Sequence, residues 1–309
     1  RGAQPPGGGE RDAAGPGSAR VELPRNRHKV AEFWPLAPIL LDSCADMARM
    51  RSSEAPAAMP ELMLQKASLA RTAGLRAKYA RRGLAHDGQV DPTTQVLLLR
   101  QLYLSHLESR RFDDALAITG QMLAIDVMPD VVRQDAARAC LGVGDVEGAI
   151  HHLRLASRRA PASRRAFHLW TMGSVLYLYG REREAANAFE RAARWGTTER
   201  PLYLAQLELA RTAATAAAPD SRTLTALRDA AEALADAPCG QGYGEFVRGE
   251  IAALLGRDDE AIALLESFVA RTTRGRVALA IALAAETRRA RRLLGRLRRR
   301  RGRTPRTLQ

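Results

Sequence analysis

The feature that most constrains this chain is a recurrence of residues at a fixed distance. Aligned on one alanine, the stretches SRRFDDALAITGQM, VGDVEGAIHHLRLA and YGREREAANAFERA repeat; the alanine is Ala115, Ala149 and Ala185, at spacings of 34 and 36 residues. A period of this length belongs to stacked helix pairs, in which each unit buries its apolar face against its neighbours along a continuous seam. Such an array offers an extended surface and, by default, no catalytic pocket.

The recurring positions have a physical logic of their own. Ala185, Phe189 and Ala192 stand at i, i+4 and i+7, one face of a helix. The small residues let helices approach and the phenyl ring fills the space between repeats, so Phe189→Ala is expected to cost about 3–5 kcal/mol. Gly173 falls where two antiparallel helices must come close, and a side chain there is expected to push them apart. Gly144, Gly180 and Gly256 fall in short inter-helix turns, where a positive φ is accessible chiefly to glycine.

Together these residues resemble the tetratricopeptide repeat pattern. The unit at 166–199 carries Met172-Gly173, Gly180, Ala185, Phe189 and Ala192; that at 130–163 carries Gly144, Ala149, Leu153, Ala156 and Pro161. The unit at 96–129 has Leu102-Tyr103, Ala115 and Met122, with Arg110 where the loop glycine belongs, and that at 242–275 has Gly249, Gly256, Ala261, Leu265 and Phe268. Between 200 and 240 the phase slips, and a degenerate repeat is expected: a longer first helix, Pro219-Asp220-Ser221 as stop and cap, and a second helix with Ala226, Ala230 and Ala233 on the packing face. Another pair is expected over 58–86.

The resemblance implies an all-α chain folded as a right-handed superhelical solenoid of antiparallel helix pairs. The expected organisation is a Gly/Pro-rich N-terminus over 1–57, a repeat array over 58–275, and a C-terminal amphipathic helix with an arginine-rich tail over 276–309. Ten of the first 24 residues are Gly or Pro, which predicts disorder there, and a capping helix is expected from about Leu40 to Met50. The run FWPLAPILL is too short for a membrane span and is interrupted by Pro35 and Pro38.

The resemblance also implies a site. In that family the first helix of each unit lines a concave groove through four recurrent positions. Carried over, these are Leu97, Arg100, Leu104 and Leu107, then Val131, Gln134, Arg138 and Leu141, then Phe167, Trp170, Ser174 and Tyr177. Arg100, Leu104, Gln134, Arg138, Trp170, Ser174 and Tyr177 are the candidate partner-binding residues, with Trp170 the strongest because aromatic and arginine anchors dominate interface energies. Leu97, Leu107 and Phe167 have packing between repeats as their alternative. A carboxylate clamp of the chaperone-binding kind is not supported, since Leu104 and Arg138 stand where that clamp has asparagine.

Charge is informative once located. The chain has 48 basic and 34 acidic residues; fourteen arginines and the single acid Glu286 fall within 271–309, leaving 34 against 33 elsewhere. The array is close to neutral and the tail is strongly basic. There Ala290, Leu293, Leu294 and Leu297 form one helical stripe flanked by Arg288, Arg289, Arg292, Arg296 and Arg299, candidates for a polyanion such as nucleic acid or an anionic membrane. A merely solvating terminal helix is the alternative. The absence of aromatic residues after Arg271 argues against base stacking.

Catalytic patterns are absent from the sequence. His151-His152 point about 100° apart on a helix and lack a third ligand. The GVGD at 142–145 is a repeat turn without the lysine of a phosphate loop. Cys44, Cys140 and Cys239 are far apart and suggest neither a disulfide framework nor a metal site, favouring a reducing, cytoplasmic setting. The expectation is therefore a non-enzymatic scaffold that binds a protein or peptide, with no cofactor, metal or small-molecule substrate.

Overall fold

The computed structural model describes residues 59–215 and 218–303. The readings for 1–57, Cys44 included, and for 304–309 lie outside them. Among the described residues there are fourteen α-helices and one 3-10 turn, at Pro238–Gly240, and the fold is all-α. In order these are α1 (Met59–Leu69), α2 (Ala73–Leu84), α3 (Pro92–Glu108), α4 (Phe112–Ile125), α5 (Pro129–Val143), α6 (Val146–Arg159), α7 (Ala162–Leu178) and α8 (Glu182–Trp195). They continue with α9 (Arg200–Ala214), α10 (Ser221–Ala235), α11 (Tyr243–Leu254), α12 (Asp258–Arg274), α13 (Val277–Ala282) and α14 (Ala284–Arg303). Consecutive helices pack on one another in pairs from α1 to α12; α13 packs against α3 and α12, and α14 against α11 and α12.

Four helices start where a side chain accepts an otherwise orphaned amide. Asp91 accepts from the Thr94 amide at 2.8 Å, Asp145 from Gly148 at 2.8 Å and Asp220 from Thr223 at 2.8 Å, while Thr72 opens α2 by accepting from Leu75 at 3.2 Å. Pro92 and Pro129 stand in the first turns of α3 and α5, where a missing N–H costs nothing.

The turns that close α3, α5, α7 and α11 share one geometry. Arg110, Gly144, Gly180 and Gly256 have φ of 57°, 87°, 77° and 72°. The next amide in each case reaches the carbonyl five residues back: Arg111 to His106 at 2.9 Å, Asp145 to Cys140 at 2.8 Å, Arg181 to Leu176 at 2.9 Å and Arg257 to Ala252 at 2.9 Å. This left-handed closure satisfies carbonyls that the helix end would leave unpaired. Its position recurs with the sequence period, which is why α3–α4, α5–α6, α7–α8 and α11–α12 are alike.

The seam lies between the pairs. Ala115, Ala149, Ala185 and Ala261 are all fully buried, as are Met122, Leu153, Phe189 and Leu265. A Cβ on Gly173 would stand 2.7 Å from the Phe189 ring, and one on Gly249 would stand 2.8 Å from Leu265. The same close approach is therefore built twice, sixteen residues apart in each pair.

Three details differ from the sequence reading. In α10 the buried residues are Leu227 and Leu234, while Ala226 and Ala230 are half-buried and Ala233 is exposed. The packing face is turned by one residue because two leucines at i, i+7 remove more apolar area from water than three alanines. Helix α9 ends at Ala214 and is no longer than α3 or α7; Thr212 and Thr215 donate their hydroxyls to the Glu208 and Thr212 carbonyls at its end. The C-terminal helix is not continuous either. It breaks at Leu283, whose buried side chain turns the chain from the α3 side of the molecule toward α11 and α12.

Candidate functional site

The candidate residues lie on the odd-numbered helices α3, α5 and α7, and the structure gives each a definite place. Arg100, Gln134 and Trp170 are 7%, 4% and 2% exposed, so they sit inside the molecule. They belong to a ladder that joins each odd helix to the next. Arg100 Nε donates to Asp135 Oδ2 at 2.6 Å, and Tyr103 donates its hydroxyl to the Asp135 carbonyl at 3.0 Å, tying α3 to α5. Gln134 Nε2 donates to Thr171 Oγ1 at 3.2 Å, and its Oε1 lies 2.9 Å from His168 Nδ1, tying α5 to α7. Asp130 takes two hydrogen bonds from Arg164, at 2.8 and 3.0 Å, and lies 3.1 Å from His168 Nε2. Burial pushes the Asp130 carboxyl up, but these bonds from His168 and Arg164 outweigh it and hold the group well below the usual carboxylate range.

The ladder continues beyond the candidates. The Trp170 indole N–H donates to Gln206 Oε1 on α9, and Gln206 Nε2 donates to the Tyr243 hydroxyl on α11 at 3.4 Å. The Trp170 ring lies 5.1 Å, centroid to centroid, from Tyr243 and 6.2 Å from Tyr203. Arg100, Gln134, Trp170, Gln206 and Tyr243 therefore form one row, spaced by 34 to 37 residues. The first three were legible as recurrent positions; Gln206 and Tyr243 were not named, although the period extended by one and two units reaches both. Leu104 is half-buried against the α3–α4 core, and Ser174 and Tyr177 are 5% and 6% exposed.

What covers this face is the chain's own C-terminus. A cleft of about 400 Å³ lies between α5 and α7 on one side and residues 273–288 on the other. Gln134, Arg138, Trp170 and Ser174 are brought together on its walls with Leu141 and Phe167. Arg289 of α14 donates to the Tyr177 hydroxyl at 2.8 Å and to Glu250 Oε1 of α11, with its guanidinium 4.5 Å over the Tyr177 ring. Glu286, also buried, receives a hydrogen bond from Tyr243. Burial raises the Glu286 carboxyl to about 7 and raises that of Glu250 as well, although the Arg289 charge draws Glu250 back.

The basic candidates divide into two sets. Arg289 is committed to Glu250 and Tyr177. Arg288, Arg292, Arg296 and Arg299 are exposed, form no ion pair among the described residues, and fall on one stripe of α14. The opposite stripe, Ala290, Leu294 and Leu297, is buried, and Leu293 is half-buried. Arg298, Arg300 and Arg301 pair with Glu266, Asp258 and Asp259 of α12. Those two aspartates thus anchor α14 besides standing in the first turn of their own helix.

No group of His, Cys, Asp and Glu side chains among the described residues has the arrangement of a metal site, and no described helix is long and apolar enough to cross a membrane. A scan against models of protein families gives no match, and a search of curated proteins finds no relative.

Proposed function

We propose that this chain is a non-catalytic scaffold of the tetratricopeptide-like kind, a solenoid whose odd-helix face receives a segment of a partner protein. The observation that carries the reading is the cleft of about 400 Å³ on that face, where apolar Leu141, Phe167 and Trp170 stand beside Arg138. An apolar groove with polar groups at its rim is a surface on which a helical or extended partner segment docks. The 34-to-37-residue row of Arg100, Gln134, Trp170, Gln206 and Tyr243 supports the solenoid half of the reading, since one structural role recurs with the sequence period. The buried members of that row shape the face; Arg138 and the half-exposed Tyr179 at its edge are the residues a partner reaches. The test is affinity capture with the full chain and with Arg138→Glu and Tyr179→Asp variants. Loss of specific partners from both variants is expected, and an unchanged partner set abandons the reading.

A second reading has its own observation. The exposed stripe of Arg288, Arg292, Arg296 and Arg299 is a row of cations on the side of α14 away from its packing face. It suits an electrostatic tether to nucleic acid or anionic lipid, in the same compartment expected for the scaffold. Binding to duplex DNA or to phosphatidylserine vesicles should fall steeply with salt and vanish in Arg292→Glu/Arg296→Glu/Arg299→Glu. Absence of binding at low salt ends this reading.

A further inference from the structure

Helix α13 covers the cleft but fits it poorly. Its six residues, Val277–Ala282, are all apolar, yet none is fully buried and Val277 is 55% exposed. A six-residue apolar helix that buries no side chain completely gives up much of the stabilisation its composition offers. Beneath it the cleft stays open, with the side chains of Leu141, Phe167, Trp170, Val175 and Leu178 on the facing wall. Protein interiors are close-packed, so a cleft of about 400 Å³ faced from α13 by Val277, Ala280, Ile281 and Ala282 is space for larger side chains.

The rim is basic. Arg110, Arg138 and Arg288 all border the cleft. Arg110 and Arg288 form no ion pair among the described residues, and the carboxylate near Arg138, Asp135 at 3.5 Å, is already engaged by Arg100 at 2.6 Å. The acid in the lining, Glu286, is turned to the Tyr243 hydroxyl of α11.

The neighbours of α13 are anchored without it. Helix α12 packs on α11, and α14 is fastened through Arg289 to Glu250 and Tyr177 and through Arg300 to Asp258. Gly275 precedes α13 and the turn at Leu283 follows it, so the segment can leave its place while both flanking helices stay docked.

Building on the reading of the odd-helix face as a partner surface, we propose that the cleft is a docking site for an amphipathic partner helix bearing large apolar side chains on one face and carboxylates along its flank, and that α13 is the occupant it displaces. The apolar face fills the void and the carboxylates meet Arg110, Arg138 and Arg288. A helix of the opposite charge is repelled by the same rim.

The test uses the full chain and two labelled synthetic helical peptides of roughly 16 residues, long enough to cross α5 and α7. One has leucines at i, i+4 and i+7 with glutamates on the flank; the other has lysine for each glutamate. The variant Val277→Ser/Leu279→Ser/Ile281→Ser unseats α13 and, because none of these side chains is fully buried, leaves the rest of the fold in place, as thermal unfolding will show. The acidic peptide is expected to bind this variant at least about tenfold more tightly than the unaltered chain, and Arg138→Glu/Arg288→Glu to weaken it at least about tenfold. The lysine peptide is expected not to bind. Equal affinity for the unaltered and unseated chains, equal affinity for the two peptides, or no binding to either chain overturns the proposal. If the peptide fails while Arg138→Glu still removes captured partners, the cleft beneath α13 is refuted and the broader partner-surface reading stands.

Discussion

Arg289 and Tyr177, 112 positions apart in the chain, share one contact: the guanidinium lies 4.5 Å over the phenol ring and donates to its hydroxyl at 2.8 Å. The same guanidinium neutralises Glu250, whose side chain is 5% exposed. Removing the cation leaves a buried carboxylate unpaired, which costs far more than the pair itself contributes. Arg289→Ala is expected to destabilise the docking of α14 by about 2–3 kcal/mol. Tyr177→Phe keeps the ring and loses only the hydroxyl acceptor, at about 1 kcal/mol. Hydrogen exchange over 284–300 distinguishes the two, and Arg289→Met with Glu250→Gln should recover most of the protection lost in Arg289→Ala.

Docking of α14 should depend on pH through Glu286. Its carboxyl, raised by burial from 4.5 to about 7, faces the Tyr243 hydroxyl and the Glu250 carboxyl of α11, with Arg288 on its own helix. A raised carboxyl binds a proton more tightly docked than undocked, so its contribution is fully present below about 4.5 and lost as pH rises to about 7. The raised Glu250 carboxyl acts in the same sense. The difference is on the order of 3 kcal/mol for a shift of this size. Exchange protection of α14 is expected to fall between about pH 4.5 and 7 in the unaltered chain and to flatten in Glu286→Gln. A profile as steep in Glu286→Gln as in the unaltered chain would assign the dependence to another group.

How much of this was legible in the sequence depends on the range of the interaction. The turn glycines Gly144, Gly180 and Gly256 and the alanines that follow five residues later are local signals, and each stands in the structure where its spacing puts it. The recurrent positions Arg100, Gln134 and Trp170 were legible as a row. Their burial was not, because it comes from neighbours on the next odd-numbered helix and from the return of α13 and α14 over the same face. The Arg289–Tyr177 contact has no local signal at all. The one-residue turn of α10 was in principle readable, since Leu227 and Leu234 compete directly with Ala226 and Ala233 for the packing face. Charge counted along the sequence also misled: within the segment read as strongly basic, Arg298, Arg300 and Arg301 are paired with Glu266, Asp258 and Asp259 of the preceding helix.

The helix approach at Gly173 should be intolerant of a methyl group. At Gly173 a Cβ would stand 2.7 Å from two atoms of the fully buried Phe189 ring, which is fixed by its neighbours and cannot retreat as a flexible end would. Gly173→Ala is expected to destabilise by about 1–3 kcal/mol through overpacking. Phe189→Ala opens a cavity instead and should cost about 3–5 kcal/mol. The two changes oppose one another, so Gly173→Ala/Phe189→Ala should be more stable than the sum of the single losses predicts. Urea unfolding of the four chains measures this; strict additivity would mean the two residues do not define the approach.

Arg110 should be replaceable with gain. It closes α3 with φ 57°, the conformation that Gly144, Gly180 and Gly256 adopt in the sister turns. For a residue with a Cβ this costs about 1–2 kcal/mol, against which glycine loses about 0.5–1 kcal/mol more backbone entropy on folding. Arg110→Gly is therefore expected to stabilise by roughly 0.5–1 kcal/mol, while Gly180→Ala, with the same φ sign and open surroundings, should lose about 1 kcal/mol. The side chain of Arg110 is exposed and forms no ion pair among the described residues, so no compensating contact is lost. A rise in the urea midpoint of Arg110→Gly together with a fall in Gly180→Ala is the expected pair; a fall in both would place the Arg110 side chain, and not its backbone, in charge of that turn.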